Sequence, residues 1–206
     1  MAEKVAAEVQ DGRVQRGARN RELILDALFT LVASGDLQPT AEEVAQQAGV
    51  GTRTVFRHFD DMESLYAEMS ARVEKEIRPL LGGELPDGDL GDLGARVAAL
   101  VDQRVLIFER ISPFLLSAQS LRHDSRFLAE SHARFCRILR ADLEKAFMPE
   151  LEKARGQLPL LDGLDLVASF EAWNRLRNDQ GLGRARAGRV VQQSLLAIFS
   201  ASGVSN

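Results

Sequence analysis

Residues 40 to 59 limit the possible folds more than any other part of the chain. Thr40 and Glu43 form the signature of a capping box, in which each residue's side chain accepts a hydrogen bond from the other's backbone amide. This pattern predicts a helix that starts at about Ala41 and ends at Gly49, a residue with the backbone freedom that a tight turn requires. A second, short helix is predicted from about residue 51 to residue 59. The segment therefore has the layout of a helix-turn-helix.

The second helix of this segment has an inward and an outward face. Val55 and Phe59 supply the inward, apolar face. The outward face carries four polar side chains: Thr52, Arg53, Thr54 and Arg57. In a helix-turn-helix such side chains reach base edges in the major groove, where an arginine suits guanine and a threonine suits a thymine methyl group or a phosphate. An ordinary antiparallel helix pair fits the same pattern, so the spacing alone leaves both interpretations open.

Helical periodicity continues along the rest of the chain. It predicts a first helix from Arg21 to Ala33 and a fourth from Asp60 or Asp61 to just before Pro79. Two final helices are predicted from Leu164 to Asn178 and from Arg184 to Ala201. No alternating strand pattern occurs, and the predicted fold class is all-α.

A glycine-rich stretch from residue 82 to residue 94 predicts a domain junction or mobile loop, because five glycines and a proline disfavour any regular element there. We place an N-terminal domain at residues 1–79, comprising a basic arm and the helix-turn-helix, and a C-terminal helical domain at residues 80–206. Pro113, Pro149 and Pro159 are expected to punctuate the C-terminal helices.

The charge pattern supports contact with nucleic acid only locally. The formal net charge of -4 is unusual for a DNA-binding protein, and it keeps open the alternative of a helical binding or scaffold protein that does not engage DNA. An acid-free basic arm precedes the first predicted helix, with arginines suited to phosphates: Arg13, Arg16, Arg19 and Arg21. A solvated helix lead-in would look the same.

Other classes of site and location find little support in the sequence. Cys136 is the single cysteine, so no intramolecular disulfide can form. The three histidines show no metal-ligand spacing, no nucleophile or phosphate-binding motif is present, and we predict neither a cofactor nor an enzyme. No signal peptide or membrane span is recognisable, which favours the cytoplasm over a membrane.

The sequence around the helix-turn-helix resembles the N-terminal signature of the TetR family of transcriptional regulators. The similarity is carried by residues 41–45, 48–59 and 63–65, and it extends over roughly Arg21 to Ala71. It implies a homodimeric repressor that binds a palindromic operator of double-stranded DNA and is released by a small hydrophobic ligand. Two recognition helices about 34 Å apart would then reach successive major grooves.

The resemblance also implies roles for single positions. Thr40 and His58 would lie against DNA phosphates. Phe56 stands where the family often has tyrosine, so it could make an apolar contact but no phenolic hydrogen bond. Met62 stands where a phosphate-binding lysine is common, which predicts fewer charge contacts than usual.

For the C-terminal domain, the resemblance implies a ligand pocket and a dimer interface. Aromatic and polar side chains are assigned to the pocket: Phe108, Phe114, Phe127, His132, Phe135 and Trp173. Apolar side chains of the last two predicted helices are assigned to the interface: Leu166, Phe170, Val190, Val191, Leu195, Ile198 and Phe199. Each of these residues could instead fill the core of one subunit, and we expect a mixture of the two roles.

Overall fold

A computed structural model describes residues 2–81, 92–154 and 160–203, with side chains from Gly17 onward. Within those ranges every regular element is a helix, which confirms the predicted all-α class. Of the predicted junction at residues 82–94, positions 82–91 lie outside the described residues. Beyond that point Leu93 and Gly94 already belong to a helix.

Four helices form the N-terminal part of the chain: α1 (Ala2–Ala33), α2 (Ala41–Ala48), α3 (Thr52–His58) and α4 (Met62–Ile77). Their order and the starts of α2 and α4 agree with the sequence pattern. The prediction for α1 was wrong at its start, since the helix has 32 residues. Apolar periodicity marks only the part of a helix that packs against a core, whereas the preceding alanines, glutamates and arginines extend it by their intrinsic helix propensity.

Six further helices follow: α5 (Leu93–Leu121), α6 (Arg126–Ala146), α7 (Met148–Lys153), α8 (Leu160–Val167), α9 (Phe170–Asn174) and α10 (Arg184–Ala201). The expectation that Pro113 ends a helix was wrong, because it lies inside α5. Pro149 occupies the first turn of α7, where its missing N–H costs no helical hydrogen bond. Pro159 lies outside the described residues.

The helix predicted from Leu164 to Asn178 is interrupted. The backbone leaves helical geometry after Val167, and Ser169 caps the new helix α9 by accepting a hydrogen bond from the Ala172 amide at 3.1 Å. A π-helical turn at Arg175–Asp179 then leads towards α10. Serine is a strong N-cap residue, so this break was available in the sequence as a local signal.

The chain folds into two compact units. The first unit contains the described residues up to 74 and residues 113–129. The second unit contains the described residues of 75–112 and those from 130 onward. In the first unit the Phe114 ring lies 4.3 Å from the Phe29 ring, and the Ser117 hydroxyl donates to the Leu37 carbonyl at 2.7 Å. The functional boundary between residues 79 and 80 stays a prediction.

The predicted capping box at the start of α2 is present. The Glu43 amide donates to the Thr40 hydroxyl at 3.3 Å, and the Thr40 amide donates to the Glu43 carboxylate at 2.7 Å. Gly49 ends the helix in the left-handed region, with a φ of 66°. These local signals fix where α2 begins and ends.

Tyr66 of α4 is buried in the first unit. Its hydroxyl donates to the Pro39 carbonyl at 3.3 Å, which joins α4 to the segment before α2. Burial disfavours the charged phenolate and, with the nearby acids Asp36 and Glu43, raises the pKa of Tyr66 to about 12. The side chain is therefore neutral while the unit is folded.

We expect tyrosinate absorbance to titrate with a midpoint of about 12 in the folded protein and of roughly 10 in denaturant. This signal reports Tyr66 alone, because the chain has one tyrosine. Since the folded-state pKa is the higher one, the contribution of Tyr66 to stability is complete below a pH of about 10 and is lost as the pH rises towards 12. Tyr66→Phe, the control, should lose less stability over this interval. A midpoint near 10 in the folded protein would contradict the burial argument.

Candidate nucleic-acid interface

Helix α3 is held by its apolar face. Val55 is 1% exposed and the adjoining Phe59 is 2% exposed, and both belong to the core that α3 shares with α1 and α2. The helix has only seven residues, too few to be stable alone. Burial of this one face therefore sets the direction in which the other face points.

The opposite face of α3 is cationic and partly apolar. Arg53 and Arg57 are exposed, Thr52 and Thr54 are half-buried, and the Phe56 ring is 47% exposed. Arginine donors can bind guanine edges or phosphates, and an exposed ring can pack against a thymine methyl group or a sugar. All five side chains lie within two turns of one another along the helix.

Arg21 has an internal role that the sequence did not reveal. Its guanidinium binds the Glu68 carboxylate and the His58 carbonyl, and its carbon Cζ lies 4.2 Å from the centre of the Phe59 ring. These contacts join α1 to the end of α3 and to α4. Arg21 is thus occupied within the first unit, in contrast to the exposed Arg19.

The other predicted arm residues receive no structural test. Arg13 and Arg16 belong to α1 but lie outside the residues whose side chains are described. Their contact with phosphates stays a prediction.

His58 is half-buried at the end of α3. Its Nε2 atom is buried and finds no hydrogen-bond partner within the described part of the chain. Burial, with the positive charges of Arg57 and Arg21, lowers the pKa of His58. In this position the ring is neutral near physiological pH and offers no positive charge to a phosphate.

Thr40 is exposed, but its hydroxyl donates to the Glu43 carboxylate at 2.7 Å. Hydrogen bonds from the Thr40 side chain and backbone lower the pKa of Glu43, which is therefore negatively charged at neutral pH. A phosphate at the start of α2 would meet this charge. The predicted phosphate contact of Thr40 thus requires its hydroxyl to leave Glu43.

A comparison with protein families identifies the segment that contains these helices. Residues 24–69 match the bacterial regulatory proteins of the tetR family. This segment of the chain is TetR-like. A comparison with curated proteins yields no match.

Solved structures agree with the fold of this TetR-like chain. A transcriptional regulator from Rhodococcus sp. Rha1 is 18% identical, with a TM-score of 0.67 over 90% of this chain and 99% of that one. A candidate TetR-family regulator from Mesorhizobium loti is 18% identical, with a TM-score of 0.61 over 90% and 98%. A candidate regulator from Streptomyces coelicolor is 23% identical, with a TM-score of 0.58 over 86% and 98%. At these identities the likeness concerns the fold.

The six side chains assigned to a ligand pocket are divided between the two compact units. Phe108 and Trp173 are buried in the second unit, with ring centres 6.5 Å apart. Phe114 packs on Phe29 in the first unit, where Phe127 is exposed. His132 and Phe135 line a cavity of about 460 Å³ in the second unit. Helical spacing located apolar positions but could not show which of them share a space.

The residues assigned to the dimer interface divide into two groups. Phe170, Val191, Leu195 and Phe199 are buried within a single subunit. Leu166 is 71% exposed, and Val190 and Ile198 are half-buried. The first group belongs to the core, and the interface role of the second group stays a prediction.

Sequence reasoning missed the pairing of His132 with Cys136. The two residues are four positions apart on α6, which places them on one face, and Cys136 Sγ lies 3.5 Å from His132 Nε2. Glu171 Oε1 lies 3.6 Å from the same nitrogen. The described residues nevertheless contain no group of three such side chains suited to a metal ion.

No described helix combines the length and hydropathy needed to span a membrane.

Replacing Arg21 with glutamine should lower the free energy of unfolding by about 1 to 2 kcal/mol, because a charged hydrogen bond to a carbonyl and a cation–π contact are lost at a partly exposed site. Urea denaturation followed by circular dichroism measures the change. Arg19→Gln is the matched control, since Arg19 is exposed on the same helix. Equal stability of the two variants would show that the contacts of Arg21 contribute nothing.

Proposed function

We propose that this TetR-like regulator is a cytoplasmic, homodimeric repressor that binds a palindromic DNA operator and is released from it by a small, largely hydrophobic ligand. The observation that carries the DNA-binding part is the exposed cationic face of α3 opposite the buried Val55 and Phe59. A helix presented in this way suits the major groove. The family match supports the same interpretation.

In this proposal base reading and phosphate contact are divided between different residues. Arg53 lies at the second position of α3, close to its N-terminal end, and reads a guanine through two parallel hydrogen bonds. Thr52 and Thr54 contact a thymine methyl group or a phosphate, and the exposed Phe56 ring packs against a neighbouring apolar edge. Arg57 contacts the phosphate backbone.

Arg19, with Arg13 and Arg16, adds phosphate contacts from α1. Such contacts raise affinity for any sequence through the release of counterions. They would offset the unfavourable overall charge of -4. Arg21 is excluded from this group because its guanidinium is bound to Glu68 and to the His58 carbonyl.

Dimerisation is assigned to the last helices. Leu166 exposes most of its side chain, and it lines a groove of about 520 Å³ together with Val167, Ala172, Leu176 and Val190. Burial of this apolar surface by a second copy would be favourable by roughly 25 cal/mol for each Å² removed from water. A twofold axis would then present two α3 helices to a palindromic site.

Ligand control is assigned to the second unit, where the cavity lined by His132 and Phe135 has a size suited to a small molecule. A coupling of 1 to 3 kcal/mol would weaken operator binding about 5- to 150-fold. Linkage requires operator DNA to weaken ligand binding by the same factor.

Replacing Arg53 with alanine should reduce discrimination at one operator position by about 1 to 3 kcal/mol, because a bidentate contact is lost. Fluorescence anisotropy with the upstream DNA of the encoding gene, and with single-base variants of it, measures the change. Arg53→Lys is the informative control, since it keeps the charge but not the planar pair of donors. If the chain binds that DNA no better than random DNA, base reading by α3 is rejected and a helical scaffold protein is favoured.

Replacing Arg19 with glutamine should weaken binding to every DNA sequence by a similar factor. The slope of log affinity against log salt concentration should fall by about 1, because one fewer counterion is released. Discrimination between operator and random DNA should persist. An unchanged salt slope would mean that Arg19 does not contact the backbone.

A further inference from the structure

Arg104 is an almost fully buried arginine in the second unit. It lies in the middle of α5, and only 2% of its surface is exposed. Its Nη2 atom donates to the Leu139 carbonyl at 2.6 Å. The Asp142 carboxylate is the nearest anion, with Oδ2 3.9 Å from Nη2, which is beyond hydrogen-bond distance. Among the described residues, neither Nε nor Nη1 of Arg104 has a hydrogen-bond partner.

A buried arginine with unfilled donors lowers the stability of the fold, so folding by itself does not explain it. Burial lowers the pKa of Arg104 to about 10, against the opposing effect of Asp142 and Asp165. The side chain is still charged at neutral pH. Buried charges require close partners and full hydrogen bonding, and a well-packed apolar residue is often the more stable alternative. The Nε and Nη1 groups of Arg104 therefore suggest a hydrogen-bonding partner from outside the chain.

The space next to Arg104 is small and apolar. A cavity of about 10 Å³ adjoins its side chain, and it is lined mainly by apolar groups of α5, α9 and α10, including Val105, Phe108, Trp173 and Val191. That volume is close to the minimum for one water molecule. Ala168 and Ser169, where the backbone passes from α8 to α9, complete the wall.

Ser169 also lines the cavity of about 460 Å³. The walls of that larger cavity include Phe135, Leu139, Leu166 and Phe170. Leu139 is a second residue common to both places. It lines the larger cavity, and its carbonyl accepts a hydrogen bond from Arg104. The larger cavity and the small space beside Arg104 thus share Ser169, at the break between α8 and α9.

The wall of the larger cavity also carries charged side chains. Asp162, Asp165 and Glu171 lie at its wall, together with Arg140. The Arg140 guanidinium donates to Asp162 at 2.5 Å and to Asp165 at 3.3 Å, so it is paired with two of these acids. Arg104 differs from Arg140 in that no described carboxylate lies within hydrogen-bond distance of its buried guanidinium.

We propose that Arg104 binds the carboxylate of a small amphipathic organic acid whose apolar body occupies the larger cavity. A guanidinium and a carboxylate match in shape and can form two parallel hydrogen bonds. The present cavity beside Arg104 is too small for a carboxylate, so binding moves the α8–α9 connection at Ser169. This inference rests on the proposed ligand-responsive function and specifies its ligand class.

The test compares octanoate with octanamide, which has a similar shape but no charge. Isothermal titration calorimetry measures the affinities, and the emission of Trp173 reports the same event, because it is the single tryptophan and lines the cavity beside Arg104. Octanoate should bind about tenfold or more tightly than octanamide, as expected for a charge-assisted hydrogen bond in a buried site.

Arg104→Met should reduce octanoate affinity to that of octanamide. The same variant removes the cation nearest to the buried Asp142 carboxylate, so its thermal unfolding is measured together with its affinity. Circular dichroism verifies that it is folded. Arg140→Met is the matched control, because it removes a guanidinium at the larger cavity and should keep the preference for octanoate.

Three results would overturn the inference. The first is that the unmodified protein binds octanoate and octanamide with equal affinity. The second is that Arg140→Met loses the preference for octanoate while Arg104→Met keeps it. The third is that neither octanoate nor the smaller benzoate binds saturably. These titrations contain no DNA, so they are independent of operator release. Octanoate that binds through Arg104 without changing operator affinity would support the anion site and reject ligand-controlled release.

Discussion

Burial of Val55 and Phe59 is the constraint on which the candidate DNA-binding surface depends. A seven-residue helix gains too little from its own hydrogen bonds to be stable, so α3 exists because one face is packed against α1 and α2. Arg21 strengthens the same arrangement by covering the Phe59 ring and binding the carbonyl of His58. Since a helix has a fixed angular spacing, fixing the inner face also fixes the positions of Arg53, Phe56 and Arg57 on the outer face.

The arginines show why counts of charge predict function poorly. Arg21 binds Glu68, Arg96 binds Glu150, and Arg177 binds Glu109, so each of these cations stabilises the fold. Arg53 and Arg57 are exposed on the face of α3 that is proposed to meet DNA. A chain with a net charge of -4 can therefore present a locally positive surface to DNA, because Arg53 and Arg57 are exposed together on one short helix.

The second unit has a different organisation. Its aromatic side chains mostly fill the core, as in the contact of Phe108 with Phe170, whose ring centres are 5.7 Å apart. Two polar features interrupt this core: the buried Arg104, and the break between α8 and α9 at Ser169. Both lie beside the same small cavity. A buried charge and an interrupted helix both reduce stability, and both are common where a protein binds a ligand.

The sequence by itself determined the all-α class, the limits of α2, the order of the first four helices, the limits of α10 and the resemblance to TetR-like regulators. These follow from local physics, because caps, glycine turns and helical periodicity depend on residues a few positions apart. Only the tertiary structure decided that Arg21 binds Glu68, that Pro113 lies within α5, that Phe114 and Trp173 belong to different units, and that Arg104 is buried with unfilled donors. Each of these outcomes depends on contacts between residues far apart in the chain, and periodicity can show that a side chain faces inward but not which partner it meets.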